Sequence, residues 1–243
     1  MEQLKGKNIA IVAMGQSQLD FHLSQTHSIT FDEVWAINAM IGILPNIDRA
    51  FILDPMSRFL DTENAGTMTH MMRKKLPLVD YPIYSCELDT RVPAVIEYPL
   101  EAVVAHSKSA YLNNTVAYAI AFALLSKVAQ ISIFGVDFTY KSNMHFAESG
   151  RGCVEFWIAK CINQGINVGI APRSSLLDTD VGTKDKLYGY HRLDNPKVTF
   201  QDEKGVIKVG IWSDISNKNQ QNNDIPVGII GRKDLKPVEP NKY

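Results

Sequence analysis

Residues 8–17 read Asn-Ile-Ala-Ile-Val-Ala-Met-Gly-Gln-Ser. The apolar run after the asparagine has no polar face, which is typical of a strand buried on both sides of a parallel sheet. Gly15 and Gln16 follow as a turn, and Ser17 is placed to cap a helix over residues 18–25. A strand, a turn and a helix in this order predict the first unit of an alternating β/α fold.

The same alternation continues along the chain. Further strands are predicted at residues 33–38, 49–54, 81–85, 92–97, 130–137 and 166–171. Helices are predicted at residues 56–75, from Asn113 or Asn114 to about residue 127, and at residues 152–164. Together these elements predict an α/β fold with a doubly wound, mostly parallel Rossmann-like sheet and right-handed crossovers.

The composition changes after residue 182. Two runs, at residues 197–201 and 206–212, flank a short polar turn and predict a β-hairpin. Residues 225–230 are predicted as a last strand. We therefore expect a nucleotide-binding domain over residues 1–182 and a C-terminal β-rich arm with a flexible tail over residues 183–243. The arm is a candidate cover for the site or a contact in a homo-oligomer.

Composition and charge exclude several classes of protein. The chain has 243 residues, 45% of them hydrophobic, with 25 Lys and Arg against 26 Asp and Glu. It is too apolar for intrinsic disorder, and its net charge of −1 creates no global field that attracts nucleic acid or anionic lipid. The longest apolar run, residues 116–125, is half of the roughly 20 residues that a membrane span needs. No secretory pattern is predicted in residues 1–7.

The three cysteines indicate the compartment. Cys86, Cys153 and Cys161 are an odd set without the spacing of a disulfide framework or a zinc site. We therefore expect no metal centre of that kind and a reducing, cytoplasmic location.

In an open parallel sheet, ligands bind beyond the carboxyl ends of the strands, where the strand order reverses. Gly15, Gln16 and Ser17 follow the first strand. A glycine there allows close approach of the backbone, and the N–H groups that open the next helix favour a phosphate. The alternative is an ordinary turn between strand and helix.

Polar side chains also end three later strands. The Asn38 amide is suited to a ribose hydroxyl or a base edge, or to a local turn. Asp54, before Pro55, is suited to ribose, to a metal ion or to a turn. Asp137 ends a core strand, where an unpaired carboxylate would be costly to bury. It therefore either accepts local N–H groups or faces the ligand.

Residues 144–151 hold the densest cluster of chemically active side chains. His145 is a candidate general base near neutral pH, and Glu148 is placed to orient it. Arg151 offers a planar fork for phosphate. The alternative is a surface loop with a capping carboxylate and an ion pair. Lys108, before the apolar helix, is a further phosphate candidate.

Three segments, residues 9–17, 109–137 and 145–177, carry a resemblance to a known family. They resemble the Rossmann family shared by archaeal-type 6-hydroxymethylpterin diphosphokinases and bacterial single-domain sialyltransferases. The Gly-Gln-Ser turn matches a first strand that ends in a Gly-x-x-Ser-like motif, and Gly-Val-Asp at 135–137 matches a later strand that ends in Gly-x-Asp. The element with His145 is similar to versions found in bacteriophage genomes.

The chain departs from the family at two points. The usual Gly-x-Gly-Pro-Ser turn is reduced to Met14-Gly-Gln-Ser17, without the proline. Of the tyrosine pair expected in the sialyltransferases, only Tyr140 lies near the expected place. Specificity for sialic acid is therefore not implied.

The resemblance implies a nucleotide-dependent transferase, with a glycosyltransferase that uses a nucleotide-sugar donor as the leading hypothesis. The donor phosphates would bind at residues 15–17, and Asn38 and Asp54 would position its sugar or ribose. His145 would deprotonate the hydroxyl of an unidentified acceptor, and Arg151 would stabilise the leaving phosphate.

Two alternatives stay open. An ATP-dependent diphosphokinase would hold Mg²⁺ on Asp54 and Asp137. A non-catalytic nucleotide-binding or structural phage protein would use the arm after residue 182 for subunit contacts.

Overall fold

A computed structural model describes residues 2–63, 66–139, 143–201 and 207–215 of the chain. The chain divides into two compact units, Met1–Asp180 and Val181–Tyr243. In the described part of the chain, no helix is both long enough and apolar enough to cross a membrane.

A seven-stranded parallel sheet forms the centre of the N-terminal unit. In chain order its strands are β1 (Asn8–Val12), β2 (Glu33–Ile37), β3 (Arg49–Phe51), β4 (Ile83–Ser85), β5 (Val95–Glu97), β6 (Gln130–Phe134) and β7 (Asn167–Ile170). In space their order is β5-β4-β3-β2-β1-β6-β7. The predicted doubly wound α/β fold is confirmed.

Six α-helices connect these strands in the described residues. They are α1 (Gln18–Thr26), α2 (Met56–Leu60), α3 (Thr69–Lys75), α4 (Leu100–Ser107), α5 (Thr115–Ser126) and α6 (Met144–Asn163). Short 3-10 helices include Asn38–Gly42, directly after β2, and Leu176–Asp178, after β7. Each strand end therefore leads into a turn or helix on one edge of the sheet.

The alternation of side chains along β1 explains why both faces of the sheet are buried. Ile9 and Ile11 belong to a core cluster that includes residues of α5 and α6. Ala10 and Val12, which point to the opposite face, belong to a second cluster with Phe21 of α1. A parallel sheet covered on both faces requires apolar residues at every position, as the sequence predicts.

Two helical predictions need correction, and one helix was not predicted. The segment predicted as one helix over residues 56–75 forms α2 and α3. Helix α4 was not predicted, because only Val103 on it is fully buried and its apolar pattern is weak. Helix α6 begins at Met144 rather than at residue 152. Asn143 caps it there by accepting a hydrogen bond from the Phe146 N–H at 3.1 Å.

The C-terminal unit contains the predicted hairpin. Strands β8 (Lys197–Gln201) and β9 (Ile207–Ile211) pair antiparallel, with Lys197 opposite Ile211. The turn between them and the strand predicted at residues 225–230 lie outside the described residues.

Candidate functional site

A cleft of about 870 Å³ opens at the carboxyl edge of the sheet. It lies beside β1, the strand at which the strand order reverses. Strands β2 to β5 extend the sheet on one side of β1, and β6 and β7 extend it on the other. This is the switch point at which α/β sheets bind ligands, and the volume suits a nucleotide-sized molecule. The cleft is lined by residues 13–15, 37–38, 53–54, 58, 112–116, 118, 135–139 and 146.

The floor of the cleft is closed by a contact between the ends of β1 and β6. The Asp137 carboxylate accepts hydrogen bonds from the Ser17 N–H, at 2.8 Å, and from the Ser17 hydroxyl. That hydroxyl in turn accepts a bond from the Gly135 N–H at 2.9 Å. Asp137 and Ser17 are buried, and these bonds compensate for the loss of water around the carboxylate.

Both glycines at this floor are required by the close packing. A Cβ on Gly15 would lie 2.5 Å from Oδ2 of Asp137. Gly135 has φ +69°, and a Cβ there would lie 1.9 Å from the carbonyl oxygen of Ala13. The group that approaches Gly15 is therefore a carboxylate of the protein itself.

This floor changes the interpretation of residues 15–17. The N–H of Gly15 donates to the Gly135 carbonyl at 2.7 Å, and the N–H of Ser17 donates to Asp137. Ser17 precedes α1 but its side chain makes no capping bond to that helix, because its hydroxyl bonds Asp137 instead. Gln16 is exposed, and of these three residues only Gly15 lines the cleft. Phosphate binding at this turn stays a prediction.

Asn38 lies at the end of β2 and lines the cleft. Its backbone has φ +51°, a left-handed conformation that asparagine tolerates better than most residues. Its Oδ1 atom is buried and has no hydrogen-bond partner among the described residues. An unsatisfied buried acceptor costs about 1–3 kcal/mol, so a ligand that donates a hydrogen bond here would stabilise the site.

Asp54 and Arg58 form an ion pair on the β3 side of the cleft. A guanidinium nitrogen of Arg58 donates to one carboxylate oxygen of Asp54, and both side chains line the cleft. Helix α2 starts two residues after Asp54, which sets the pair at the i,i+4 spacing of helical neighbours. Arg58 was missed at the sequence level, although this spacing could have indicated it.

Two asparagines join α5 to α6 beside the cleft. Asn114 caps α5 by accepting a bond from the Ala117 N–H at 3.0 Å, as predicted. Its Nδ2 donates to the carbonyl of Gly150 at 3.2 Å. Nδ2 of Asn113 donates to the carbonyl and hydroxyl oxygens of Ser149 at 3.1 and 3.0 Å. These bonds fix the start of α6 relative to the cleft wall.

The predicted cluster on residues 144–151 lies on a helix rather than in a loop. His145 and Glu148 have exposed side chains, and neither lines the cleft, although the neighbouring Phe146 does. In the part of the chain that the structure describes, no hydrogen bond joins Glu148 to His145, so the predicted orienting contact is not formed. The role of His145 as a base stays a prediction.

Arg151 is engaged in ion pairs away from the cleft. Its Nε donates to Glu155 at 2.8 Å and its Nη2 donates to Asp178 at 2.7 Å. The same Glu155 oxygen accepts the N–H of Leu177 at 2.8 Å. The guanidinium thereby connects α6 to the 3-10 helix after β7. Lys108, which ends α4 with φ +55°, is exposed and also lies outside the cleft lining.

The two predicted magnesium ligands do not form a suitable donor set. Asp137 accepts two bonds from Ser17, and Asp54 pairs with Arg58. Among the described residues, no group of three or more His, Cys, Asp or Glu is placed to hold a metal ion. Tyr140 lies outside the described residues.

Comparisons with known proteins give weak similarity. No protein-family model and no curated protein matches the sequence. Two similar solved structures are of the sialyltransferase CstII from Campylobacter jejuni. The complex with the substrate analogue CMP-3FNeuAc is 15% identical, with a TM-score of 0.45 over 69% of this chain and 81% of that chain. The complex with cytidine-5'-monophosphate is 15% identical, with a TM-score of 0.44 over 71% and 83%.

Proposed function

We propose that this protein is a nucleotide-dependent transferase of the glycosyltransferase type, and that its nucleotide-sugar donor binds in the cleft. The observation that carries the proposal is the buried, unpartnered Oδ1 of Asn38 at the switch point. A hydrogen bond donated by a ligand in the cleft would satisfy this acceptor. Hydroxyls of a ribose or a sugar supply that donor.

The polar groups of the cleft fit a sugar nucleotide better than a metal-bound triphosphate. Besides Asn38, the lining offers the hydroxyl of Thr115, a neutral group suited to ligand hydroxyls, whereas the Asn113 and Asn114 amides bond to Ser149, Gly150 and Ala117. A diphosphokinase needs carboxylates available for Mg²⁺, whereas Asp54 and Asp137 are bonded within the protein.

The proposed reaction transfers the donor sugar to an acceptor hydroxyl. The acceptor hydroxyl attacks the anomeric carbon of the donor sugar and forms the new C–O bond. The bond from that carbon to the phosphate oxygen breaks, and its electron pair stays on the phosphate. In the proposed reaction the base is His145, which has an exposed side chain, precedes the cleft-lining Phe146 in the sequence and takes the proton from the acceptor. These steps need no metal ion.

A thermal-shift screen of the full chain tests the proposal. The panel consists of CMP- and UDP-linked sugars and ATP, each with and without Mg²⁺. A nucleotide sugar at 100 times its Kd is expected to stabilise the chain by about 2.7 kcal/mol without metal. Stabilisation by ATP only with Mg²⁺ would replace the proposal by the diphosphokinase. No stabilisation by any compound would favour the structural protein.

His145→Ala tests the catalytic part of the proposal. With the donor found in the screen, we expect this variant to lose at least 100-fold in turnover and to keep the donor affinity. His106→Ala, an exposed histidine near the end of α4, is the matched control and should keep both. Full turnover in His145→Ala would remove the base assignment and leave the binding proposal intact.

A further inference from the structure

The charged side chains that line the cleft are few. Among the lining residues that the structure describes they are Asp54, Asp137 and Arg58, and Arg58 is the one cation of these three. Asp137 is buried and bonded to Ser17, and its charge is directed into the floor. Within the described lining, Arg58 is therefore the side chain whose charge complements a ligand with a negative group.

The guanidinium of Arg58 has unused hydrogen-bonding capacity. Only Nη1 bonds to Asp54, and the side chain is 50% exposed. A guanidinium has five N–H donors in a fixed fork. Arg49, which is mostly buried, shows the contrast, because it donates from Nε and Nη2 to Glu33 and from Nη1 to Tyr84. Arg58 thus has N–H groups available for an anion, whereas all three nitrogens of Arg49 form hydrogen bonds within the protein.

The ion pair of Arg58 does not prevent ligand binding. A partly exposed ion pair of this kind contributes about 1 kcal/mol or less to stability. A phosphate oxygen can therefore recruit the remaining N–H groups, or replace Asp54, at small cost. The pair keeps the guanidinium beside the cleft until the ligand arrives.

We infer that Arg58 is the phosphate-binding residue of the cleft, which recognises the phosphate ester between nucleoside and sugar. This inference rests on the proposed function and differs from the sequence-based prediction, which placed the phosphate at Gly15–Ser17, Lys108 or Arg151; of these residues only Gly15 lines the described cleft. When the bond from the phosphate oxygen to the sugar breaks, the electron pair remains on the phosphate. Arg58 stabilises the added charge.

The test separates the phosphate from the nucleoside. Cytidine, uridine and their 5'-monophosphates are titrated calorimetrically into the full wild-type chain, Arg58→Met and Arg58→Lys. We expect Arg58→Met to weaken binding of a monophosphate about 10- to 100-fold and to keep nucleoside affinity within twofold. Arg58→Lys should fall between, because an ammonium keeps the charge without the fork.

Arg91→Met is the matched control. Arg91 is 47% exposed, pairs with Asp61 and Asp89, and lies outside the cleft lining. The Arg91→Met variant should bind the nucleosides and their monophosphates with wild-type affinity.

The outcomes distinguish this inference from its premise. Wild-type affinity of Arg58→Met for the monophosphate would overturn the role of Arg58 and leave the proposed function standing. An equal loss for nucleoside and monophosphate would show a structural rather than a charge effect, and would also overturn it. A wild-type chain that binds none of the four compounds, and no nucleotide sugar in the thermal screen, would remove the proposed function itself.

Discussion

The two edges of the central sheet differ in how far their polar side chains are hydrogen-bonded within the protein. At the amino edge, Glu33 begins β2 and its carboxylate is fully bonded inside the protein. It accepts from Lys7 at 3.0 Å and from Trp35 at 2.9 Å. It also accepts two bonds from Arg49, at 2.7 and 3.2 Å. Every acceptor position of this buried carboxylate is used for folding.

At the carboxyl end of the same strand, the polar side chains make few hydrogen bonds within the described protein. Asn38 follows the last residue of β2, and its buried Oδ1 is unpartnered in the described residues. Arg58 nearby uses one nitrogen of three. Buried polar groups are almost always satisfied within a folded protein, so the unpartnered Oδ1 of Asn38 contrasts with the fully bonded carboxylate of Glu33.

Among these variants, Glu33→Gln should lower the free energy of unfolding most, and it should leave ligand affinity unchanged. It removes the charge that pairs Lys7 and Arg49, and loss of one partner from a buried ion pair costs about 3 kcal/mol. Urea denaturation should show this loss, with nucleotide-sugar affinity unchanged. Glu63→Gln, whose side chain is 77% exposed and pairs with Arg73, should cost less than about 0.5 kcal/mol.

The pH dependence of the Glu33 variant sharpens this prediction. Burial raises the pKa of Glu33, but hydrogen bonds from Arg49, Trp35 and Lys7 hold it below its ordinary value of 4.5. The stability from these bonds is therefore present above pH 4.5 and is lost as the pH falls through the lowered pKa. The difference between wild type and Glu33→Gln should shrink in acid. A difference that is constant down to pH 3 would contradict the linkage.

Asn38→Gly should give the reverse pattern, a loss of binding without a loss of stability. Glycine accepts φ +51° readily, and the variant removes an unsatisfied acceptor, so the unfolding free energy should stay within about 0.5 kcal/mol. Donor affinity should fall about tenfold with the lost hydrogen bond. Lys127→Gly, which replaces another left-handed residue outside the cleft lining, should keep affinity. Equal affinity in both variants would leave the Asn38 amide without a ligand role.

The fold was largely predictable because the apolar pattern of a parallel sheet is local. The starts of β1, β2, β3 and β6 agree with prediction to the residue. The ends were placed too late, most clearly at β6, which ends at Phe134 rather than at residue 137. Gly135 takes φ +69° and turns the chain out of the sheet there, but the apolar pattern continues into the turn.

The site was predictable only where a rule of topology applied. Asn38, Asp54 and Asp137 were found because strand ends meet at the switch point, and all three line the cleft. The contact of Asp137 with Ser17 spans 120 residues of sequence, so nothing local reveals that the carboxylate faces the floor. The cluster around His145 was predicted as a site from its residue types alone. Residue types do not show in which direction side chains point on a helix.

Arg151→Met should have the smallest effect on binding and turnover. It tests whether Arg58 or Arg151 stabilises the leaving phosphate. Its pairs with Glu155 and Asp178 are partly exposed, so their loss should cost about 1 kcal/mol or less in urea denaturation. Turnover and donor affinity should remain, because the Arg151 guanidinium is held by Glu155 and Asp178, whereas Arg58→Met should lose affinity without losing stability. A tenfold fall in kcat with unchanged stability in Arg151→Met would contradict this prediction. It would indicate that Arg151 on α6, rather than Arg58, stabilises the leaving phosphate. It would also require that α6 move toward the cleft when the donor binds.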